Sequence, residues 1–533
     1  MHYPSRARFV FISILISALG PPAASAQGTI EGTIAFWGDA GGGTQIEVAA
    51  SSDPTGPPDA TVFVGIAGGP FSIPVSDGTY YMSVLMARDG VFGEPRPEDV
   101  LVWYDADGDG ERDTVAVSGG AVTGIDIDLG FVYVDIDATG GANNGTSWAD
   151  AFTDLQDGID LAVSGIEVWV AEGTYIPGSS WNSTFNPKRG VRVCGGFTGG
   201  ETIRHQRDWN AHPTILSCEI GDPSPEDNCV HVVVAEASNP TAVLDGLTIT
   251  RGYADLAGAD GEGGGIRARG GGVTLANVTV IDNYAASAGG GVFTNTTGTV
   301  KAYNSSFINN RAPSFHGGGY YANIGSAEPQ TLVNCVFVGN SAYRGGGIAL
   351  EGTGSTPEIV NLSLSGNSAA NTGGGIFTNI AATHVIENSI FWGNTGPSPQ
   401  IGHFGSPPVV NYSIVQGGWA TGANIVDADP SFADAALRIH LDSPAIDAGD
   451  NAAVPIDVHD ADGNHWIDEP IQRDRDFNRR FEEIPYVPNT GVSDPGVSAV
   501  DMGAYEAFDP ALIFFAKFEL GDLDEWDNVV GGP

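Results

Sequence analysis

An acidic loop in the first quarter of the chain has the residue types and spacing to bind a hard cation. The run DADGDGERD begins at Asp105, with a carboxylate at every second position and another at its end. Calcium prefers carboxylate oxygens, and Gly110 permits the tight turn that lets them converge. We expect a structural calcium ion here; the alternative is an acidic turn without an ion. The expected ligands are Asp105, Asp107, Asp109, Glu111 through its backbone carbonyl, and Asp113.

A second acidic run lies nearer the C-terminus, and its spacing is less regular. Its candidate calcium ligands are Asp460, Asp462, Asn464 and Asp468. Arg473 and Arg475 follow closely, so ion pairs between these arginines and the acids are the competing interpretation. Both interpretations stay open on the sequence.

Two residues with catalytic chemistry, His316 and Arg344, each stand directly before a Gly-Gly-Gly triplet, 28 residues apart. A polysaccharide lyase needs a base near the C5 proton of the sugar and a cation that neutralises its carboxylate. This pair has those chemistries. However, a lyase groove is normally basic, whereas this chain is strongly acidic with few Lys or Arg, and pairs at one-repeat spacing arise by chance in repeat proteins. A glycoside hydrolase needs paired carboxylates at a defined separation, and the regular repeats show no such outward pair.

One side of the repeat carries aromatic residues that could stack against sugars. The residue after each triplet is expected to point inward, so the residue after that should point outward. When repeats stack, these outward residues form one stripe, and exposed aromatic surface usually binds something. The alternative is that an insertion or a covering loop buries them. The predicted ligand-binding residues are Arg267, Phe293, Tyr321 and Phe377, with Ala349 completing the stripe.

A repeat sets the elements that must position these residues. The triplets begin at Gly263, Gly289, Gly317, Gly345 and Gly373, in steps of 26, 28, 28 and 28 residues. A second motif, N-x-x-[FVLI]-x-x-N, occupies residues 277–283, 304–310, 334–340, 361–367 and 388–394. Apolar residues alternate within it, which indicates strands, and the fixed period indicates a stacked solenoid. We therefore predict an all-β chain dominated by a parallel β-helix, with turns roughly 4.8 Å apart.

The same residues carry a family resemblance. GGGI alternating with N-x-x-F-x-x-N resembles the right-handed parallel β-helix repeats of pectate-lyase-like and polymorphic outer-membrane proteins, over about residues 245–417. The runs NNGTSWADAF and VWVAEGTY are similar to the N-terminal cap of bacterial surface β-helices, with an amphipathic helix expected over residues 151–162. The resemblance implies the fold; it implies much less about function.

The regions on either side of the repeats differ from them. Residues 28–131 contain short alternating strands and predict a β-sandwich, and DGTYYMSVLMARDG resembles carboxypeptidase-regulatory-like domains. The β-helix with its cap is expected over residues 133–419. In residues 420–507, DADPSF, SPAIDAGDN and VDMGAYE resemble the choice-of-anchor Q region that follows β-helices in exported bacterial proteins. Residues 508–533 form a short C-terminal element.

Composition narrows the compartment and the partners. Residues 1–26 have the basic start, apolar run and A-x-A site of a secretory signal, and no later segment reads as a transmembrane helix. Lys plus Arg is 22 and Asp plus Glu is 65, a net charge of −43, which disfavours nucleic acid and anionic membranes as partners. Cys218 and Cys229 flank a loop, and a disulfide between them is plausible in an oxidising compartment.

We therefore predict an exported cell-surface or secreted protein, in a Gram-negative bacterium, that binds an extracellular polysaccharide or cell-surface component without cleaving it, supported by calcium. One alternative is a polysaccharide lyase or glycoside hydrolase of pectate-lyase-like fold. Another is a passive structural component of the surface or matrix.

Overall fold

The computed structural model describes residues 28–507, except for 38–44, 54–57, 66–67, 87–99, 108–111, 222–223, 237, 257, 326–327, 458–469, 477, 482–486 and 494–497. The predicted signal segment, the second acidic run and the C-terminal element all lie outside the described residues. Within the described part of the chain, no helix is long and apolar enough to cross a membrane.

Most strand pairs of the N-terminal region are antiparallel. Its strands are β1 (Gly28–Trp37), β2 (Gln45–Ser51), β3 (Ala60–Gly65), β4 (Gly68–Val75), β5 (Gly78–Met86), β6 (Val100–Trp103), β7 (Thr114–Val117), β8 (Ala121–Val122) and β9 (Ile127–Val134). Strand β1 pairs with β4, β2 pairs with β3 and β5, and β5 also pairs with β6 and β7. Among the described strands of this region, only β8 and β9 pair with β1 in parallel. Alternate residues of these strands, among them Ile30, Val48 and Met82, are fully buried in one core. This confirms an antiparallel sheet before the repeats.

Strand β9 joins the N-terminal region to the repeats. It pairs in parallel with β1 on one side and with the first solenoid strand, Ile166–Ala171, on the other. The aromatic rings of Phe131 and Trp169 lie 4.1 Å apart across this junction. The sheet is therefore continuous, and the change of architecture near residue 131 falls inside a strand.

The remaining elements are one α-helix, α1 (Leu155–Leu161), and the solenoid strands. These are β10 (Ile166–Ala171), β11 (Gly173–Tyr175), β12 (Arg192–Phe197), β13 (Thr214–Ser217), β14 (Val233–Val234), β15 (Val243–Asp245), β16 (Leu247–Thr250), β17 (Tyr253–Ala254), β18 (Ile266–Ala268), β19 (Gly272–Ala276), β20 (Thr279–Ile281), β21 (Tyr284–Ala285), β22 (Val292–Thr294), β23 (Thr299–Tyr303), β24 (Ser306–Ile308), β25 (Arg311–His316), β26 (Tyr320–Ile324), β27 (Thr331–Val333), β28 (Val336–Val338), β29 (Ser341–Arg344), β30 (Ile348–Gly352), β31 (Glu358–Val360), β32 (Ser363–Ser365), β33 (Ser368–Thr372), β34 (Ile376–Ile380), β35 (Val385–Glu387), β36 (Ile390–Trp392), β37 (Ile401–His403), β38 (Val409–Val415) and β39 (Gly422–Val426). Short 3₁₀ segments occupy Trp148–Asp150, Arg204–Gln206, Pro225–Asp227, Gly258–Gly261 and Asn451–Ala453.

These strands stack as a parallel β-solenoid of about nine turns, as the repeat predicts. Strands β14, β18, β22, β26, β30, β34 and β37 form one sheet, here called the front sheet. Strands β17, β21, β25, β29 and β33 form the side sheet, and two further parallel ladders form the long sheet. A regular turn therefore carries four short strands, such as β23 to β26. The positions expected to point inward are fully buried: Val280, Phe307, Phe337, Leu364 and Phe391.

Glycine and asparagine occupy the bends of each turn. The first glycine of every triplet has positive φ, for example +70° at Gly317. A residue with a side chain would be strained in this backbone conformation. A Cβ on Gly317 would also lie 2.5 Å from the carbonyl oxygen of Tyr320. The second asparagine of each motif forms a buried ladder, in which Asn310 Nδ2 donates to Asn340 Oδ1 at 3.1 Å. The triplet thus marks the corner between the side sheet and the front sheet.

Helix α1 covers the first turn, as expected from its apolar face. Its N-cap Asp154 accepts a hydrogen bond from the Gln156 N–H, and this fixes the start of the helix. Leu155 and Ile159 are buried against the solenoid interior beside Val132. The helix is shorter than the expected span of residues 151–162, because the preceding residues form a β-bridge and turns.

The C-terminal segment folds back along the outside of the solenoid. Its apolar residues pack on the long sheet in one cluster of Tyr303, Val333, Val360, Val454, Ile471 and Val500. Arg480 is fully buried and donates hydrogen bonds to Asn334 Oδ1 and Glu506 Oε1, both at 2.6 Å. The described part of this segment therefore covers the long sheet, which leaves the side and front sheets to carry a site.

Candidate functional site

His316 and Arg344 meet at the corner between the side and front sheets. They pair in register on β25 and β29, and Arg344 Nη1 lies 3.3 Å from His316 Nε2. Their one-turn relationship is the one that the spacing of the triplets predicts. Because a guanidinium can only donate, Nε2 accepts this hydrogen bond and Nδ1 carries the ring proton.

Glu351, on the neighbouring front-sheet strand β30, completes the arrangement. Its Oε2 accepts from His316 Nδ1 at 3.0 Å and from the Tyr321 hydroxyl at 3.1 Å. Arg344 is held further by Nε donating to Asn371 Oδ1 at 3.0 Å. A continuous chain of hydrogen bonds thus links Glu351, His316 and Arg344 across the corner.

Burial and hydrogen bonding shift the pKa of Glu351 in opposite directions. Burial favours the neutral form, but the hydrogen bonds from His316 and then from Tyr321 outweigh it, so the pKa of Glu351 lies below its usual range. Burial, followed by the charge of Glu351, raises the pKa of the Tyr321 hydroxyl. At neutral pH the corner therefore holds a carboxylate, a neutral phenol and a guanidinium.

Three partly exposed aromatic rings surround the Arg344 guanidinium or its histidine partner. Phe315 is 42% exposed, Tyr343 38% and Phe404 43%. The guanidinium carbon lies 4.6 Å from the Phe404 ring centre and 5.4 Å from that of Tyr343, while Phe315 stacks on His316 at 4.0 Å. We call Phe315, Tyr343 and Phe404 the rim rings. Together with His316, Tyr321, Arg344 and Glu351 they form what we call the corner cluster.

The predicted aromatic stripe is in register but is not exposed. Arg267, Phe293, Tyr321, Ala349 and Phe377 pair along the front sheet one after another. Phe293 and Tyr321 are only 5% exposed and Phe377 is fully buried, in one apolar cluster. The expectation of an exposed sugar platform was therefore wrong. Next to the corner, Phe315, His316 and Phe404 pack against these rings and cover them.

Arg267 belongs to a separate group two turns before Tyr321. It lies 2.9 Å from Glu236 and 3.2 Å from Asp260, and its Nη1 donates to His231 Nε2 at 2.7 Å. Burial, and next the charge of Arg267, lower the pKa of His231 to about 4. Arg267 is thus engaged by its own neighbours and does not join the corner cluster.

The geometry makes His316 a poor general base. Its side chain is 3% exposed, and both ring nitrogens are already engaged, one by Glu351 and the other by Arg344. A base that removes a proton from a sugar must reach that proton with a free lone pair. The arrangement instead suits a fixed guanidinium presented among aromatic rings.

Three of the five acids of the first acidic loop are described, and they converge. Asp105, Asp107 and Asp113 each offer a carboxylate oxygen within 4.8 Å of the others. The Ala106 N–H donates to Asp113 Oδ2 at 2.7 Å, and Ser164 donates to Asp105 Oδ2 at 2.6 Å. Asp109 and Glu111 lie outside the described residues. The described oxygens are a donor set that suits calcium.

Cys218 and Cys229 form a disulfide, with their Cα atoms 4.9 Å apart. Both are buried at the first turns of the solenoid. Cys335 is a buried thiol on an inward position, where its S–H donates to the Val333 carbonyl at 3.2 Å. The disulfide lies on the solenoid core and not at the corner cluster.

Sequence reasoning missed four residues of the corner cluster. Phe315 and Tyr343 directly precede His316 and Arg344, so the position two before each triplet would have pointed to them. Glu351 is the next outward residue after Ala349, which the period of two would have identified. Phe404 follows a strand that lies beyond the last triplet, and no repeat signal marks it.

Comparison with known proteins adds little beyond the fold. No protein-family model matches the chain, and no curated protein sequence matches it significantly. The crystal structure of pectate lyase Pel9A is similar with a TM-score of 0.30 and 15% identity, over 71% of this chain and 96% of that one. A family 28 exopolygalacturonase of Yersinia enterocolitica is similar with a TM-score of 0.17 and 12% identity, over 73% and 82% of the respective chains. Similarity at this level is restricted to the fold, and function must be read from the site.

Proposed function

We propose that this chain binds an extracellular polysaccharide at the corner cluster without cleaving it. The observation that carries the proposal is the set of rim rings, each more than a third exposed, of which two lie against the Arg344 guanidinium and the third stacks on its partner His316. Aromatic rings offer flat apolar surface to the C–H faces of sugars, and a neighbouring donor can orient the hydroxyl groups. Exposed aromatic side chains grouped in this way usually mark a binding surface.

A non-catalytic role is favoured over the lyase and hydrolase alternatives by how the polar groups are used. His316 has no free nitrogen, and both oxygens of Glu351 are approached by protein donors. Neither group is placed to take a proton from a ligand. The passive structural alternative gives no reason for three exposed rings around a chain of hydrogen-bonded polar side chains.

Export, surface location and calcium form the rest of the proposal. The signal-like residues 1–26 and the resemblance of residues 420–507 to a choice-of-anchor Q region support export to the cell surface. Asp105, Asp107 and Asp113 would hold calcium, which would offset their mutual repulsion and fix the loop of a sandwich-like N-terminal domain. The ion would be structural, because the loop lies in the N-terminal region and not on the solenoid corner.

The test is a glycan-binding survey with matched aromatic variants. Purified protein is applied to an array of plant, algal and bacterial polysaccharides, and Phe315→Ala and Tyr343→Ala are compared with Trp181→Ala. Trp181 is 57% exposed but lies away from the corner, so it controls for loss of any exposed aromatic ring. We expect each rim-ring variant to weaken binding by about tenfold, which corresponds to about 1.4 kcal/mol, and the control to bind normally.

Two results would refute the proposal. If both rim-ring variants bind glycan as the parent protein does, the corner cluster is not the glycan-binding site. New reducing ends or unsaturated products, released by the parent protein and abolished in Arg344→Ala, would establish the enzyme alternative instead.

A further inference from the structure

We propose that the glycan held at the corner cluster is uncharged, and that Arg344 contacts it as a hydrogen-bond donor to hydroxyl or ring oxygens. This inference rests on the proposed function of the same site and adds the class of its ligand. An acidic glycan, in which Arg344 would act as the counter-ion of a carboxylate, is the alternative that the structure disfavours.

Arg344 is linked to a carboxylate of the protein through His316. Its Nη1 donates to His316 Nε2 at 3.3 Å, and His316 Nδ1 donates to Glu351 Oε2 at 3.0 Å. The ring therefore joins the guanidinium to the carboxylate through two hydrogen bonds. The ionised Glu351, one side chain away from the guanidinium, would repel an anionic sugar bound there but would not repel a neutral one.

Arg344 still has donor capacity for a neutral partner. Nε donates to Asn371 and Nη1 donates to His316, while no described residue accepts a hydrogen bond from Nη2. The guanidinium also faces the rings of Phe404 and Tyr343. The hydrogen bonds of Nε and Nη1 and the two neighbouring rings hold the guanidinium in place, so Nη2 points in one direction. A ligand that accepts from Nη2 therefore costs little side-chain entropy on binding.

The surroundings repel a polyanion. The whole chain carries 65 acidic against 22 Lys and Arg side chains, so the long-range field opposes negatively charged polymers. Near the cluster, Glu262 adds to the negative field at Tyr321, next to Glu351 itself. A polymer with one carboxylate on every sugar would meet one guanidinium within the corner cluster, and the Glu351 carboxylate lies one side chain away from it.

The rim rings favour an extended chain of several sugars. Phe315 and Tyr343 lie on consecutive turns of the side sheet, and Phe404 follows β37, two turns beyond β30. Stacked turns are roughly 4.8 Å apart, so the rings follow the solenoid axis. A linear oligosaccharide lying along this axis could contact each ring through an uncharged face.

The test compares neutral and acidic oligosaccharides by calorimetry at low and high salt. The probes are cellohexaose, mannohexaose and xylohexaose against hexagalacturonate, and the proteins are the parent, Arg344→Gln, Arg344→Ala and Phe315→Ala. Glutamine keeps two N–H donors but carries no charge. We expect a neutral probe to bind with an affinity that salt changes by less than about twofold, reduced by about threefold in Arg344→Gln and by about tenfold in Arg344→Ala.

The outcomes separate the ligand class from the function itself. One outcome is that only hexagalacturonate binds, that its affinity falls with salt, and that its binding is lost equally in Arg344→Gln and Arg344→Ala. The inference of a neutral ligand then fails, but glycan binding at this site stands. If no oligosaccharide binds, the proposed function fails. It also fails if Phe315→Ala binds normally here and Tyr343→Ala binds normally on the array. Circular dichroism and the melting temperature of each variant exclude misfolding as the cause of a loss.

Discussion

Glu351 holds the corner cluster together, so its removal should loosen the fold locally. It accepts hydrogen bonds from His316 and Tyr321, whose side chains are almost fully buried. Glu351→Ala would leave both donors without a partner in a place that water reaches poorly. Glu351→Gln would keep one acceptor oxygen but lose the charge.

The size of the effect follows from these two bonds. A hydrogen bond to a charged group contributes about 1.5–3 kcal/mol, and the lower part of that range applies because the Glu351 side chain is 15% exposed. Two such bonds give a loss of about 3 kcal/mol for Glu351→Ala. For Glu351→Gln, which keeps the shape, we expect about 1–2 kcal/mol.

Native-state hydrogen exchange is the appropriate assay, because a solenoid opens turn by turn and a single unfolding free energy would average the effect away. Amides of β26 and β30 should exchange about a hundredfold faster in Glu351→Ala, whereas amides of β15 should not change. Asn379→Ala is the control: its contact with Glu351 is 3.5 Å long and its side chain is exposed, so we expect less than about 0.5 kcal/mol. Unchanged protection of β26 and β30 in Glu351→Ala would refute the idea that the hydrogen-bond chain holds the corner.

Three further predictions concern the scaffold. Asn340→Ala removes four buried hydrogen bonds, which join its side chain to its ladder neighbours and to the Phe307 carbonyl. Local stability, measured by hydrogen exchange, should fall by about 4 kcal/mol. A loss of exchange protection in only one turn would contradict a shared ladder. Burial raises the pKa of the Asp501 carboxyl and of its coupled neighbour Glu506, so the folded state holds a proton that the unfolded chain has lost above about pH 4, and stability should fall as pH rises from there toward the raised pKa values. The urea midpoint should therefore drop between pH 5 and pH 8 in the parent protein and drop less in Asp501→Asn; equal slopes would count against a buried proton. Deleting residues 313–314 should keep the fold, since the flanking strand pairs remain, but should weaken glycan binding at least as much as Phe315→Ala.

The regular part of the fold could be predicted because it depends on residues with unusual backbone preferences. Gly317 and the other first glycines of the triplets adopt positive φ, and so do the first asparagines, such as Asn334. Few other residues tolerate that conformation, so their spacing fixes where the chain bends. Between bends, the alternation of apolar residues fixes which side chains point inward, and Phe337 and its equivalents are buried as expected.

Burial on the outer face could not be predicted in the same way. A period of two shows that Phe293 and Phe377 point out of the solenoid, but it does not show what lies over them. The cover comes from side chains of a different sheet, His316 and Phe315, and of a strand after the last triplet, Phe404. Such contacts depend on the angle between sheets and on rotamers, which no local pattern records.

The C-terminal segment illustrates the same limit over a longer distance. Nothing in its composition indicated that it would return along the long sheet. Arg480 enters the protein interior because Asn334, Glu506 and the Ala504 carbonyl surround it with acceptors, drawn from two stretches of sequence that are far from each other. A buried arginine of this kind is costly without partners, so it fixes the docking of the segment only once all of them are in place.

The corner cluster lies where the repeat is least regular, and this explains why it is local to a few turns. In the side sheet, Ala312 pairs with Ala342 and His316 pairs with Arg344, so β25 spans four residues where β29 spans two. The two extra residues form a bulge in β25 beside Phe315, which is 42% exposed. Regular turns bury their side chains against equivalent ones above and below, whereas a bulge leaves a side chain without an equivalent neighbour. A repeat can therefore present a specific binding group where its register breaks. In the side sheet the register shifts between β25 and β29 and again between β29 and β33, and Arg344 lies at both shifts.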